Sequence, residues 1–274
     1  MTWKKICQWC VQHEAAQRGE EVEDAAQPVM RTPWARSESS ISLTQILFGA
    51  NIAVFLAMAL ASGSLIDFPG QITVNFGANV GPYTLTGEWW RLVSYMFLHA
   101  GLVHIAFNMW CLWDLGALCE SLYGRWTYAA IYLLTGIGGG LGSIIWNPSA
   151  FTVGASGAIF GLAGALITSF YLGEFSLPRV AIQGTLRSLL FFAGFNLFFG
   201  GMFGGGIDNA CHVGGLVSGL AFGAAIAKLA PHPEHGQRRV AIFVIAALFL
   251  AGCAFGLAHH YGVPLRLGRS PYRP

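Results

Sequence analysis

The residue best suited to act as a nucleophile is Ser156, which lies within the small-residue stretch 152–161, TVGASGAIFG. Glycines at 154 and 157 permit a tight backbone turn and the close approach of another chain. A helix beginning at Ser156 would direct its unpaired N–H groups toward the space beside the hydroxyl, where they could stabilise an oxyanion. Ala158 breaks the G-x-S-x-G signature of soluble hydrolases. Because the four-residue spacing of Gly157 and Gly161 more often marks membrane-helix packing than chemistry, the serine needs a partner elsewhere in the chain.

A histidine that could act as the base for Ser156 lies in the apolar stretch 207–223. The residues on one stripe of the helix predicted there are His212, Gly215, Gly219 and Gly223. This stripe could meet the small-residue helix that begins at Ser156 at backbone-contact distance. A neutral imidazole, with a pKa of about 6.5, is the usual acceptor of a serine proton. The alternative is a histidine that only hydrogen-bonds a neighbouring helix.

Asp208 is the obvious candidate for a third member of a catalytic triad, since it lies four residues before His212. At the start of the predicted helix, however, an aspartate is at least as well suited to cap the helix. Holding a carboxylate in a dry site is also costly. We therefore expect Asp208 to cap the helix rather than complete a triad.

A second polar pair lies in the segment 99–108, HAGLVHIAFN. His104 and Asn108 are one helical turn apart, so they project from the same face and could direct an imidazole and an amide N–H at one point. The alternative is a hydrogen-bonding pair that joins two helices. Metal binding is not expected here, because the H-E-x-x-H pattern is absent and Ile105 follows His104.

The composition is that of a membrane protein. Of the 274 residues, 54% are hydrophobic and only 10% are charged, whereas soluble domains carry about a quarter charged residues. A net charge of +2, without a basic run interleaved with aromatic residues, gives no support for nucleic-acid binding. No cofactor is expected. The sequence predicts an all-α, polytopic helical bundle.

Seven apolar stretches are expected to cross the membrane: 41–61, 92–119, 128–146, 156–171, 186–201, 207–223 and 240–258. The second exceeds the roughly 20 residues that one crossing needs, so its first part should lie in the preceding loop or at the membrane interface. The loop before it, which contains Trp89 and Trp90, is long for a connection, and long ordered loops are usually functional.

The sequence divides into a polar tail at 1–40, a core at 41–230 and a seventh span with a C-terminal tail at 231–274. In the tail, Cys7 and Cys10 have the spacing of half a zinc knuckle, but a closed site takes four ligands, and the rest are not evident. A pair of reduced thiols is the expected alternative. No metal site is predicted.

Basic residues predict the orientation. With the N-terminus inside, eleven basic residues are cytoplasmic and four are outside. The cytoplasmic ones are Lys4, Lys5, Arg18, Arg31, Arg36, Arg125, Arg179, Arg187, Lys228, Arg238 and Arg239, and the outer ones are Arg91, Arg266, Arg269 and Arg273. Positive charges favour the cytoplasmic side, so we expect a cytoplasmic N-terminus and, for seven spans, an external C-terminus. Ser156 and His212 would then lie near the outer face.

Together these residues resemble the rhomboid intramembrane serine proteases. The shared features, in order along residues 41–230, are Trp90-Arg91, His104-x-x-x-Asn108, Glu120 before Gly124, Gly154-Ala-Ser156-Gly157 and His212-x-x-Gly215. The resemblance implies a six-helix core, here with one added helix, in the bacterial inner membrane. It implies cleavage of single-span membrane proteins in or near their membrane segments, and no particular oligomeric state.

The resemblance also assigns roles to residues. Ser156 would be the nucleophile and His212 the base of a dyad that lacks an aspartate. His104 and Asn108, with the Ser156 N–H, would form the oxyanion hole beside the loop glycine Gly154. Arg91 and Glu120 would be structural. Phe160 stands where some members have tyrosine, and either ring could stack against His212.

Two other classes are weighed against a protease. A rhomboid-like pseudoprotease that escorts membrane clients would share the fold but normally lack the dyad. A transporter would use broken polar helices around a midplane site, and the inverted repeats of many such folds are not evident.

Overall fold

A computed structural model describes residues 41–173, 179–202, 207–229 and 235–266, so the polar tail with Cys7 and Cys10 lies outside the described residues. The described part is helical, apart from one isolated β-bridge between Asn79 and Thr152. Its α-helices are α1 Leu43–Ser62, α2 Gly70–Phe76, α3 Gly81–Thr84, α4 Arg91–Ser94, α5 Leu102–Tyr123, α6 Arg125–Trp146, α7 Ser156–Leu172, α8 Arg179–Met202, α9 Asn209–Ile226 and α10 Gly236–Arg266, with a 3₁₀ turn at Tyr95–Phe97.

Six of these helices are long and apolar enough to span a membrane: α1, α5, α6, α8, α9 and α10. The predicted all-α, polytopic membrane bundle is therefore confirmed. The apolar helix α7 is shorter, at 17 residues, and is buried along most of its length among the others.

The start of the second predicted span agrees with the expectation, and the start of the fifth does not. The stretch 92–119 is divided, as expected: its first part forms α4 and the 3₁₀ turn, and the spanning helix starts only at Leu102. By contrast, α8 starts at Arg179, seven residues before the predicted start. The prediction left residues 179–185 out of the helix as part of a polar connecting segment, but polar side chains at the end of an apolar helix can continue it because the helix satisfies its own backbone.

Glycines bring α6, α7 and α9 into contact through their backbones. An added Cβ at Gly215 would overlap the carbonyl oxygen of Gly157, and one at Gly219 would overlap that of Gly161. On the other face of α9, a Cβ at Gly214 would lie 2.8 Å from the carbonyl oxygen of Gly138 in α6. Small residues permit such close approach. The predicted packing of the 156–171 and 207–223 helices along their glycine stripes is confirmed.

The loop between α1 and α5 is organised by Arg91. Its guanidinium donates to the carbonyl oxygens of Val74 and Ala78, at 2.8 and 3.0 Å, and pairs with Glu88 at 2.7 Å. The side chain is buried, and its charge is neutralised within the loop itself. Asn79, the residue after Ala78, exchanges two backbone hydrogen bonds with Thr152, each 3.0 Å long. Arg91 therefore shapes the loop segment that contacts the chain just before Ser156.

Glu120 joins the end of α5 to the start of α1. Its carboxylate accepts hydrogen bonds from the backbone N–H groups of Leu43 and Thr44, at 2.7 and 3.0 Å, and from the Thr44 hydroxyl at 2.9 Å. The first N–H groups of a helix have no partner inside it, and a negative charge is favourable there. Glu120 thus stabilises the start of α1, at the end of the bundle away from Ser156.

Candidate active site

Ser156 and His212 are in direct contact. Ser156 is the first residue of α7 and His212 the fourth of α9, and the Ser156 Oγ lies 2.8 Å from the His212 Nε2. The two glycine stripes allow this approach, because Gly157 and Gly215 bring the two backbones together immediately beyond the pair. This is hydrogen-bond distance, at which an imidazole can accept a serine proton.

The imidazole of His212 is fixed by stacking. The Phe160 ring lies parallel to it, with centroids 4.4 Å apart and an interplanar angle of 8°, and Phe192 of α8 packs against Phe160 at 5.2 Å. The expected stacking of Phe160 on His212 is confirmed. Phe160 covers one face of the His212 ring. The stacking fixes the plane of the ring, so that Nε2 points toward Ser156.

Gly154 lies between His104 and Ser156. Its φ of 122° is one that residues with a side chain rarely adopt, and its N–H donates to the Tyr95 carbonyl at 2.9 Å. A Cβ added here would lie 2.8 Å from His104 Nε2 and 3.6 Å from Ser156 Oγ. A glycine at this position therefore leaves a small space bordered by both side chains.

His104 and Asn108 contact each other in α5. The Asn108 amide donates to the backbone carbonyl of His104 at 3.0 Å, and the His104 Nδ1 accepts the Ala100 N–H at 3.4 Å. The latter bond leaves the Nε2 of His104 directed at Gly154. An asparagine amide has two hydrogens, and the bond to His104 uses one of them.

Asp208 does not contact the imidazole of His212. Its carboxylate accepts the Cys211 N–H at 3.0 Å as the N-cap of α9, and it also accepts hydrogen bonds from the hydroxyls of Ser143 and Thr152. The prediction that Asp208 caps the helix is confirmed. No hydrogen-bond partner within the described residues reaches the His212 Nδ1, which is the atom that a triad aspartate would bind.

Sequence reasoning missed Tyr95, whose hydroxyl lies beside Gly157 and Cys211, the residues next to Ser156 and His212 in the chain. Its side chain is completely buried, its hydroxyl donates to the Gly136 carbonyl at 2.6 Å, and the hydroxyl lies 3.5 Å from the sulfur of Cys211. A Cβ at Gly157 would lie 2.8 Å from this hydroxyl. Tyr95 therefore contacts α6, α7 and α9 where they meet. The only sequence signal was a tyrosine inside an apolar stretch, where its hydroxyl needs a partner.

Comparisons with known proteins identify the family of this chain. The rhomboid domain profile matches residues 86–229. The chain is 35% identical to the rhomboid protease AarA of Providencia stuartii over 240 residues, which cover 78% of this chain and 82% of that protein. It is 33% identical to the rhomboid protease GluP of Bacillus subtilis over 79% of this chain, but it spans only 41% of that longer protein. The chain belongs to the rhomboid family of intramembrane serine proteases.

Proposed function

We propose that Ser156 is the nucleophile and His212 the general base of a catalytic dyad that cleaves peptide bonds of other membrane proteins. The observation that carries this proposal is the 2.8 Å contact between Ser156 Oγ and His212 Nε2. The imidazole would accept the serine proton as Oγ attacks a substrate carbonyl, and would then donate it to the leaving amine. Water would release the acyl group from Ser156 in a second step.

The negative charge that develops on the substrate oxygen requires donors. We assign them to the Ser156 N–H, the His104 imidazole and the Asn108 amide, beside the space that Gly154 leaves open. A tautomer of His104 with its proton on Nε2 is favoured, because its Nδ1 accepts the Ala100 N–H. The N-terminal end of α7 adds the positive end of a helix dipole at the same place.

We expect Asn108→Ala to lower kcat for membrane-substrate cleavage by about 10²- to 10³-fold, with a much smaller change in KM, because a donor that acts mainly in the transition state is lost. Asn196→Ala is the matched control, since Asn196 of α8 makes the same type of bond, to the Phe192 carbonyl one turn earlier, at 2.8 Å. Equal kcat losses in the two variants would mean that Asn108 only supports its helix.

We infer that α7 also crosses the membrane, giving a six-helix core within 41–230 and an added seventh span, α10, within 231–274, with 1–40 as a cytoplasmic tail. Seventeen residues of α-helix reach about 26 Å, close to the thickness of the hydrocarbon core. The excess of basic residues favours a cytoplasmic N-terminus in the bacterial inner membrane, with the dyad toward the outer face.

In this arrangement Arg91 and Glu120 are structural residues. Arg91 holds the first loop, and Glu120 holds the start of α1, through the bonds given above. The substrates would be single-span membrane proteins, which reach Ser156 from the surrounding bilayer. Neither a cofactor nor a metal is required for the proposed acyl transfer.

The decisive experiment combines reconstituted full-length protein with a panel of single-span substrates in liposomes. We expect mass spectrometry to find paired products with new termini in or near the membrane segment. We also expect a fluorophosphonate to label the Ser156 peptide. A protein that bound these substrates without cleaving them, and remained unlabelled, would be a client-binding pseudoprotease and not the enzyme proposed here.

A further inference from the structure

The carboxylate of Asp208 joins three separate parts of the chain. Beyond its bond to the Cys211 N–H, its Oδ2 accepts the Thr152 hydroxyl at 2.8 Å and the Ser143 hydroxyl. The two hydroxyls also lie 2.7 Å apart. We call Ser143, Thr152 and Asp208 the Asp208 cluster. It connects the end of α6, the segment before α7 and the start of α9.

Two members of the Asp208 cluster have the same sequence spacing to the two residues of the dyad. Thr152 lies four residues before Ser156, and Asp208 lies four residues before His212. On the other side of the dyad, Gly157 and Gly215 form the first contact of the glycine stripes. The Ser156–His212 pair is therefore flanked by two contacts between the same two chain segments, one polar and one through glycines.

The polar contact is buried, and the loop between α1 and α5 also pairs with it through Asn79. The Ser143 and Thr152 side chains are each only 1% exposed, and Thr152 forms the β-bridge with Asn79 of the first loop. Each hydroxyl carries one proton, so with an ionised carboxylate only two of the three contacts can be hydrogen bonds at one time, and at least one of these is donated to Asp208. Without the carboxylate, both buried hydroxyls would lose their charged acceptor, which is costly for polar groups away from water.

We propose that Asp208 is a positioning residue, which sets the distance between Ser156 and His212 by bonding the start of α9 to the segment before α7. This inference rests on the dyad proposed above. Asp208 acts through the backbones of Thr152 and α9, and not on the imidazole, whose Nδ1 it does not contact. Helix ends are the least constrained parts of helices, and both dyad residues lie in a first turn. The glycine contacts hold the two helices together on one side of the dyad, and the Asp208 cluster joins them on the other.

The test measures reactivity separately from stability in the full-length protein. We expect Asp208→Ala and Thr152→Val each to lower kcat and the rate of fluorophosphonate labelling at Ser156 by about 10- to 100-fold, with KM almost unchanged, because small displacements of reacting groups have effects of this size. Thr152→Ser keeps the hydroxyl and should restore the rate. Asp208→Asn keeps the cap and one acceptor, so its loss should be smaller than that of Asp208→Ala.

A double variant separates this interaction from two unrelated defects. Asp208→Ala combined with Thr152→Val should lose no more than the worse single variant, since both remove the same bond. Ser42→Ala is the control for loss of a cap alone, because Ser42 caps α1 by accepting the Gln45 N–H at 3.1 Å, remote from the dyad. It should lower the unfolding midpoint and leave the labelling rate of folded protein unchanged.

The inference is overturned if Asp208→Ala and Thr152→Val label and cleave at the wild-type rate, or if their losses simply multiply in the double variant. Ser156→Ala distinguishes this failure from failure of the dyad. If Ser156→Ala is inactive while Asp208→Ala is fully active, the dyad stands and only the positioning role is lost. If Ser156→Ala is active, the dyad itself is wrong.

Discussion

Replacing Ser156 by alanine should abolish cleavage of membrane substrates, with a loss of about 10⁴-fold or more in kcat, because the hydroxyl proposed to form the acyl intermediate is lost. His212→Ala should cause a loss of similar size, since the two residues act as a unit and their losses are not additive. Labelling by a fluorophosphonate should disappear in both variants. The measurement is product formation in proteoliposomes by mass spectrometry.

We expect the Ser156→Ala protein to fold normally. The side-chain contact of Ser156 in the site is the bond to His212, and alanine is a good helix former at the start of α7. Ser149→Ala is the matched control, because Ser149 lies in the same α6–α7 connection and does not contact the dyad. We expect the control to cleave at the normal rate. Wild-type cleavage by Ser156→Ala with a normal unfolding midpoint would leave the dyad without support, although family membership would stand.

The second large effect is expected from Gly219→Val. A Cβ at Gly219 would overlap the backbone carbonyl of Gly161, and neither helix can yield there by a change of rotamer. The helices α7 and α9 must then separate. Overpacking of this kind costs about 3 kcal/mol or more of folding free energy when the backbone has to move. Activity should fall with stability, because Ser156 and His212 would move apart.

Gly194→Ala provides the control for the second prediction. Gly194 lies in α8, and an added Cβ there meets no atom within 4 Å. Because alanine favours helix more than glycine, stability should be unchanged or slightly higher. The measurements are the midpoint of thermal unfolding in detergent micelles and kcat for the folded fraction. A Gly219→Val protein as stable and as active as Gly194→Ala would show that the glycine contacts do not determine the geometry of the dyad.

The contact between Ser156 and His212 was predictable from the sequence because helical periodicity is a local property. A four-residue spacing places His212 and its glycines on one stripe, and a run of small residues after Ser156 predicts a helix that a neighbour can approach closely. The capping role of Asp208 followed from its position at a helix start. These inferences needed no knowledge of the tertiary fold beyond the meeting of two helices.

The supporting contacts were not predictable in the same way. Tyr95 was not distinguished from the other aromatic residues of its apolar stretch, and no role was predicted for Ser143. Their partners, the Gly136 carbonyl and the Asp208 carboxylate, lie 41 and 65 residues further along the chain. Periodic patterns in the sequence do not predict contacts between residues so far apart in the chain. The β-bridge of Asn79 with Thr152 has the same character, since it joins two irregular segments.

The backbone contacts along α7 and α9 have a further consequence for how this protein tolerates its surroundings. Where two helices meet through side chains, alternative rotamers allow the spacing to drift with temperature or with the thickness of the bilayer. Here carbonyl groups of one helix rest directly on glycine Cα atoms of the other, and such a contact has no torsion angle to adjust. The distance between Ser156 and His212 therefore depends little on the many exposed apolar side chains of the bundle, and sequence variation on that outer surface need not alter it.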